Sequence, residues 1–154
     1  FIERRFMHVY VISKNRKNGY LDAMKRYKVP VDDSMIKICD TREQAIAITP
    51  AILESTNRPD GFFAINDETA SGILYSCKLA NLKIPEDVSI CGFSDGIIAQ
   101  TTDPKLTTVE QHGKEVGESA IHLLIDRLEN KNPEEKRSGN RIVKTNLVVR
   151  GTTK

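Results

Sequence analysis

Short apolar runs that alternate with helical patterns constrain the fold of this chain more than any other feature. The runs "DGFFAI" and "VSICGF" are continuously apolar, whereas "DETASGILYSCKLANL" places its apolar residues at helical spacing. From "MHVYVI" to "VSICGF" the order is β-α-β-α-β-α-β, at spacings typical of parallel βαβ units. Continuous apolar runs favour a parallel sheet covered on both faces. The sequence therefore predicts an α/β fold with a three-layer parallel sheet.

The remaining elements follow from the same patterns. "MHVYVI" is predicted as the first strand, "RKNGYLDAMKRYK" as the first helix and "VPVDDSMIKIC" as a turn and a short strand. A second helix, "TREQAIAITPAILESTN", is expected to bend or break near Pro50, because proline removes a helix hydrogen bond. "LTTVEQ" is extended, "HGKEVGESAIHLLIDRLEN" is an amphipathic helix, and "IVKTNLVVRGT" is a closing strand pair or one long strand.

Composition and charge exclude several classes of protein. The chain has 154 residues, with 23 basic and 21 acidic side chains mixed along it and a net charge of +2, so it shows no electrostatic footprint for nucleic acid. No run approaches a membrane span, and the start is not a secretion signal. The three cysteines, Cys39, Cys77 and Cys91, lack zinc spacing and suit a reducing cytoplasm. We expect a cytoplasmic protein with no cofactor and no metal.

Enzyme signatures are absent from the sequence. It contains no GxSxG elbow, no P-loop and no GxGxxG, and its histidines share no spacing with one another or with a cysteine. The sequence therefore predicts a non-catalytic protein without catalytic residues, although an enzyme on the same scaffold remains a rival interpretation, since fold alone never excludes it.

Polar groups at the ends of predicted strands are the candidate site. Asn66-Asp67 closes one strand, Ser94-Asp95 closes the next, and Arg16 follows the first strand. In a parallel sheet the carboxyl ends of the strands share one edge, so these groups are expected to converge there. A guanidinium, an amide and a carboxylate suit a polyhydroxylated ligand. The alternative is that they are helix caps or turn residues, with Asn66 or Asp67 capping the following helix.

The order of the motifs resembles the lactose-repressor/galactose-repressor family of bacterial transcription regulators. The resemblance rests on "RKNGYLDAMKRYKVPVDDSMI", "RPDGFFAINDETASGILYSCKLANLKIPEDVSICGFSD", "DPKLTTVEQHGKEVGESAIHLLIDRLEN" and "TNLVVRGTT", and it runs from about His8 to the end. It implies an effector-binding core of the periplasmic-binding-protein-like type I fold, of which only the C-terminal subdomain is complete. On this basis residues 6–104 form that subdomain, 105–130 a hinge crossover and a helix of the N-terminal subdomain, and 131–154 a loop and closing strands that partly return.

The resemblance also implies roles for particular residues. Arg16, Asn66 and Gln111 correspond to effector contacts or to a hinge residue facing the cleft, with Ser94 and Asp95 beside them and Asp67 expected to cap. The segment beyond "GFSD" and part of the preceding helix imply a dimer interface. Its predicted residues are Ser71, Ile98, Ala99, Gln100, Thr101 and Thr102. Many family members carry Asp-Asp after "GF", so Ser94 at the first of these positions implies a changed effector.

These implications define the expected function. The chain is interpreted as the sensor of a small-molecule effector, a carbohydrate or related metabolite, within a homodimeric regulator. DNA would be bound only through an upstream helix-turn-helix, which these residues do not contain, and we expect the chain to be a C-terminal fragment of such a regulator. The alternative is an exported solute-binding protein of a sugar transporter, which shares the fold.

Overall fold

The computed structural model of the chain describes residues 2–3, 9–129 and 140–154, which form six strands, five α-helices and one 3-10 helix (Asp33–Met35). The strands are β1 (Ile2–Glu3), β2 (Lys37–Ile38), β3 (Gly61–Phe63), β4 (Ser89–Cys91), β5 (Thr108–Glu110) and β6 (Asn146–Val148). The helices are α1 (Val9–Arg26), α2 (Arg42–Leu53), α3 (Asp67–Leu79), α4 (Ile97–Thr101) and α5 (Gly113–Glu129). No helix of these residues is long and apolar enough to cross a membrane.

The start of α1 corrects the predicted first strand. Residues 9–12 of "MHVYVI" belong to α1, whereas residues 7 and 8 lie outside the described residues. Valine, tyrosine and isoleucine favour strands, but this preference is weak and the surroundings of a segment override it. As a result Arg16 lies inside a helix and not at the end of a strand.

The strand pairs confirm the α/β class and show where it departs from a purely parallel sheet. β1 pairs with β2, and β3 with β4, both in parallel, with Phe62 opposite Ile90. Parallel bridges from Cys91 to Thr107 and from Ser94 to Glu110 carry the sheet on towards β5. β5 and β6 are antiparallel, which the predicted parallel sheet did not include.

The segment after β6 is held against β4 and the residues before β5. The Thr152 hydroxyl donates to the carbonyl of Ile90 at 2.7 Å, and the Ile90 N–H donates to the carbonyl of Thr152 at 2.8 Å. The Thr107 N–H donates to the Thr152 hydroxyl, also at 2.8 Å. Residues distant in sequence therefore share one buried hydrogen-bond network.

The core lies between the β3–β4 pair and the helices α2 and α3. Its buried members are Cys39, Ala45, Ala64, Ala70, Ile73, Leu74, Cys77, Val88, Ile90, Ala99 and Leu106. α2 and α3 cross closely at Gly72, where a Cβ atom would stand 2.5 Å from the Arg42 carbonyl oxygen. α2 continues through Pro50 to Leu53, so the predicted interruption of this helix is wrong.

The amphipathic helix predicted around residues 112–130 is present as α5. None of its residues is buried. Its exposed large apolar side chains are Val116, Ile121, Leu124, Ile125 and Leu128. Within the described residues, the apolar face of α5 is therefore not covered.

Candidate functional site

Asn66, at the junction of β3 and α3, is the N-cap of the helix. Its backbone is extended and its Oδ1 atom accepts a hydrogen bond from the Thr69 N–H at 2.7 Å. Its Nδ2 atom donates to the carbonyl of Asp40 at 3.4 Å. The expectation that Asp67 would cap is wrong, because Asp67 is already the first residue of the helix and its carboxylate is engaged elsewhere.

Two substitutions of Asn66 distinguish the contribution of its capping oxygen to stability from that of its amide N–H donor. Asn66→Ala is expected to lower the free energy of unfolding by about 1 kcal/mol, the usual cost of losing a cap. Asn66→Asp keeps the capping oxygen and should stay within about 0.5 kcal/mol of the parent chain. Urea unfolding followed by circular dichroism measures both values. Equal losses in the two variants would contradict the capping role.

The buried carboxylate of Asp67 joins three segments of the chain. Asp67 is 4% exposed, and its Oδ2 atom accepts from the Gly96 N–H at 3.0 Å. Its Oδ1 atom accepts a short hydrogen bond from the Thr108 hydroxyl. The backbone N–H of Asp67 donates to the carbonyl of Phe93. Negative charge in the first turn of a helix is also stabilised by the helix dipole. Asp67 thus fixes the β4–α4 loop and β5 relative to α3.

Arg16 reaches the same sheet edge from α1. Its Nη1 atom donates to the carbonyl of Ile65 at 2.5 Å, immediately before Asn66. Its Nη2 atom donates to Oε1 of Gln111 at 3.5 Å. The guanidinium carbon lies 3.8 Å from the centre of the Phe93 ring, a cation–π contact that further restricts its orientation. The structure therefore brings Arg16 to the residue before Asn66, and it does so from a helix and not from the end of a strand.

Gln111 connects Arg16 to Ser94. Its Nε2 atom donates to the Ser94 hydroxyl at 2.9 Å, while its Oε1 atom accepts from Arg16. Ser94 is exposed and Gln111 half-buried, so both can meet a ligand from solvent. We call Arg16, Asn66, Ser94 and Gln111 the edge cluster. Its groups offer charged and neutral donors together with oxygen acceptors, and they contain no carboxylate.

Asp95 does not join the edge cluster. Its Oδ1 atom lies 2.7 Å from Nη1 of Arg150, and the two side chains are only 12% and 18% exposed. Ser94 and Asp95 have φ angles of 133° and 55°, and this unusual backbone sends successive side chains in different directions. The hydrogen bond to Asp95 raises the pKa of Arg150 above its ordinary value, so the guanidinium stays charged.

The predicted dimer-interface residues lie on α3, on α4 and directly after α4, and they differ in exposure. Gln100 and Thr101 are exposed, and Ser71, Ile98 and Thr102 are half-buried. The prediction is wrong for the side chain of Ala99, which is fully buried in the core. The same surface exposes three large apolar side chains that sequence reasoning did not select, Tyr75, Leu79 and Ile97.

Three further residues of this region were missed by sequence reasoning: Phe93, Thr108 and Arg150. Phe93 stood inside "CGFSDG", where an aromatic beside a polar strand end was a usable signal. Thr108 and Arg150 carried none, because their partners Asp67 and Asp95 are 41 and 55 residues away in the sequence. Such long-range contacts leave no local pattern.

The cysteine thiols do not supply chemistry to this site. Burial raises the pKa of Cys39, Cys77 and Cys91 to about 11 in each case. Since the thiolate is the nucleophile, these thiols are protonated and unreactive at neutral pH. Among residues 9–129 and 140–154, no group of His, Cys, Asp and Glu side chains could hold a metal ion.

Thiol labelling tests this burial. At pH 8 the folded protein is expected to react with Ellman's reagent at least about tenfold more slowly than the urea-unfolded chain, as expected when the thiolate fraction falls. The folded pKa of about 11 lies above the ordinary value of 9.0, so the thiols favour the folded state below pH 9 and cease to do so as the pH rises through 11. Equal rates for the folded and unfolded chains would contradict the burial of these thiols.

A family model described as a periplasmic binding protein-like domain matches residues 3–153. The chain belongs to this family. It is 34% identical over 140 residues to the HTH-type transcriptional repressor CytR of Escherichia coli K12, covering 90% of this chain and 40% of CytR. It is 33% identical over 125 residues to the HTH-type transcriptional repressor PurR of Vibrio atlanticus, covering 79% of this chain and 36% of PurR.

A solved structure of a periplasmic binding protein-like relative supports the same assignment. A LacI family transcriptional regulator from Enterococcus faecium, solved with bound ribose, is 26% identical with a TM-score of 0.82. The match covers 99% of this chain and 55% of that protein. The resemblance to the lactose-repressor/galactose-repressor family is therefore confirmed. The chain spans about half or less of the length of these relatives.

Proposed function

We propose that this chain is the effector-sensing part of a DNA-binding transcription regulator, and that the edge cluster binds the effector. The observation that carries the proposal is the contact between Arg16 and Gln111, which lie 95 residues apart in sequence yet meet beside Ser94 and beside Ile65, the residue before Asn66. Convergence of hydrogen-bonding groups at the carboxyl ends of parallel strands is the usual location of ligand sites in α/β folds.

The chemistry of the edge cluster supports a sugar or a related small metabolite as effector. The Arg16 guanidinium, the Gln111 amide and the Ser94 hydroxyl provide directional donors and acceptors for adjacent hydroxyl groups. The ribose bound to the Enterococcus faecium regulator is a ligand of this class. Ser94 is a neutral group that hydrogen-bonds a hydroxyl without adding negative charge to the site.

The position of Gln111 suggests how binding is transmitted. Gln111 follows β5 directly and precedes α5, so it stands where the chain leaves the sheet. A ligand held by Arg16, Ser94 and Gln111 would favour one orientation of α5 relative to the β3–β4 sheet. An effector changes the affinity for DNA only if it binds more tightly to one of two orientations of the protein than to the other. No covalent step is involved.

The partners of the regulator are part of the same proposal. DNA is bound by a helix-turn-helix upstream of this segment, as the names of CytR and PurR support. The exposed residues of α3 and α4, with Tyr75, Leu79 and Ile97, form a homodimer surface. Such a regulator works in the cytoplasm. The names of these relatives give no support to an exported solute-binding protein.

The test uses the full-length natural protein and a DNA fragment from the region upstream of its own gene. Ribose, cellobiose and other sugars are titrated by calorimetry, and DNA affinity is measured with and without each sugar by fluorescence anisotropy. At least one sugar is expected to bind and to change DNA affinity by about fivefold or more, the usual lower bound of allosteric coupling. Sugar binding without any change in DNA affinity would contradict the sensor function.

A further inference from the structure

The hydroxyl of Thr108 occupies an unusual position between the sheet edge and the loop that carries Ser94. Thr108 is fully buried on β5, and its hydroxyl donates to Oδ1 of Asp67. Because the Asp67 carboxylate can only accept a hydrogen bond, the Thr108 hydroxyl proton points towards it. The Thr108 hydroxyl oxygen is then free to accept a hydrogen bond from another group. The backbone N–H of Asp95 donates to that oxygen at 3.4 Å.

The loop that Thr108 holds has a strained backbone. Ser94 and Asp95 both have positive φ angles, which residues other than glycine rarely adopt. Such conformations persist only where the surroundings determine them closely. The Ser94 N–H donates to the carbonyl of Val109 at 2.9 Å, and the Gly96 N–H donates to Asp67. Thr108 lies between the two hydrogen bonds that hold this loop, because its hydroxyl contacts both the Asp67 carboxylate and the Asp95 N–H.

The same short segment places both partners of the Gln111–Ser94 hydrogen bond. Gln111 follows Thr108 by three residues, and Ser94 adjoins Asp95, which Thr108 holds. A shift of the loop relative to β5 would therefore change the 2.9 Å separation between Nε2 of Gln111 and the Ser94 hydroxyl. We propose that Thr108 is a positioning residue, whose hydroxyl sets the distance between Ser94 and Gln111 in the edge cluster. This inference rests on the proposed function, because it assigns Thr108 to the effector site.

Two substitutions separate positioning from mere support of the fold. Thr108→Val keeps the shape of the side chain but removes the hydroxyl, leaving Asp67 without one donor and the Asp95 N–H without its acceptor. Thr108→Ser keeps the hydroxyl and removes a buried methyl group. Both variants should lose stability, since one creates unsatisfied polar groups and the other a small cavity. Only Thr108→Val should disturb the loop.

Hydrogen exchange of the full-length natural protein without ligand provides the first measurement. In Thr108→Val the protection of peptides covering residues 92–96 is expected to fall about fivefold more than that of α3, which corresponds to one lost hydrogen bond. In Thr108→Ser it should change no more than the protection of α3. A uniform loss of protection in both variants would overturn the proposal, because that is the result of a purely structural role.

Affinity for ribose provides the second measurement, with Ser94→Ala as the second arm of a double-mutant cycle. Thr108→Val is expected to weaken binding about tenfold in the parent protein but less than about twofold in Ser94→Ala, because coupled residues are not additive. Thr108→Ser, which keeps the hydroxyl, should bind ribose with an affinity within about twofold of that of the parent protein. Equal losses in both backgrounds would overturn the proposal. Failure of the parent protein to bind ribose would count against the proposed effector class, whereas hydrogen exchange would still decide the role of Thr108.

Discussion

Replacing Arg16 by alanine is expected to lower effector affinity by about 10- to 100-fold in the full-length protein. A hydrogen bond from a charged group contributes about 1.5–3 kcal/mol, and each 1.4 kcal/mol is tenfold in affinity. Arg16 is already oriented by the carbonyl of Ile65 and the ring of Phe93, so a ligand that binds it loses little side-chain entropy. Calorimetry with ribose, or with the sugar that binds best, measures the change.

Arg26 provides a matched control for this substitution. It is an exposed arginine on the same helix, α1, so Arg26→Ala removes an identical charge without touching the edge cluster. Arg26→Ala is expected to change affinity by less than about twofold, as surface substitutions away from a site usually do. If Arg16→Ala and Arg26→Ala had the same effect, the contribution of Arg16 would be one of net charge, and the assigned site would be wrong.

Gly92→Ala is expected to lower the free energy of unfolding by about 3 kcal/mol, which is the upper range for overpacking a core. A Cβ atom at Gly92 would stand 2.4 Å from Oδ1 of Asp67 and 2.8 Å from Cδ2 of Leu106. Neither atom belongs to a flexible exposed side chain, since Asp67 and Leu106 are both buried. Displacing the carboxylate would also break its hydrogen bond to Thr108, and a buried acceptor would then lack its donor.

Gly96→Ala is the control for Gly92→Ala. Gly96 belongs to the same loop, has a negative φ angle of −76°, and has nothing within 4 Å of the position its Cβ would take. Its N–H, which donates to Asp67, is kept in the variant. We expect a change within about 0.5 kcal/mol, measured by urea unfolding. If Gly92→Ala lost no more stability than Gly96→Ala, the crowding at Gly92 would be relieved by small movements of its neighbours, and the prediction would be wrong.

The sequence predicted the parts of the fold that depend on local pattern. The strands around Phe62 and Ile90 and the helix beginning at Asp67 were identifiable from apolar runs, helical spacing and turn residues. The run "MHVYVI" was misassigned, because a short apolar segment does not distinguish a strand from the start of a helix. The antiparallel β5–β6 pair was not identified, since strand pairing depends on contacts between segments that lie far apart.

The candidate site was predictable to a similar extent. Arg16, Asn66 and Ser94 are predicted because each is expected to follow a strand, and Gln111 because of the family resemblance. Capping was expected of Asp67 and is performed by Asn66, since either side chain can cap a helix and only the structure shows that α3 begins at Asp67 with its carboxylate buried. Asp95 was grouped with Ser94 because the two are adjacent, whereas the backbone of the loop separates their side chains.

The hydrogen bonds between Thr152 and Ile90 have a consequence for the order in which this segment is synthesised and folded. One edge of β4 pairs with β3, which precedes it in the chain and is therefore synthesised first. On the opposite edge Ile90 pairs with Thr152, which is synthesised about 60 residues later. At translation rates of about 5–20 residues per second, the backbone groups of Ile90 on this edge stay unpaired for several seconds, whereas Gly92 on the same edge meets Thr107 much earlier. An unpaired edge is a template for pairing with other chains, so slow translation between Ile90 and Thr152 would favour aggregation over correct folding.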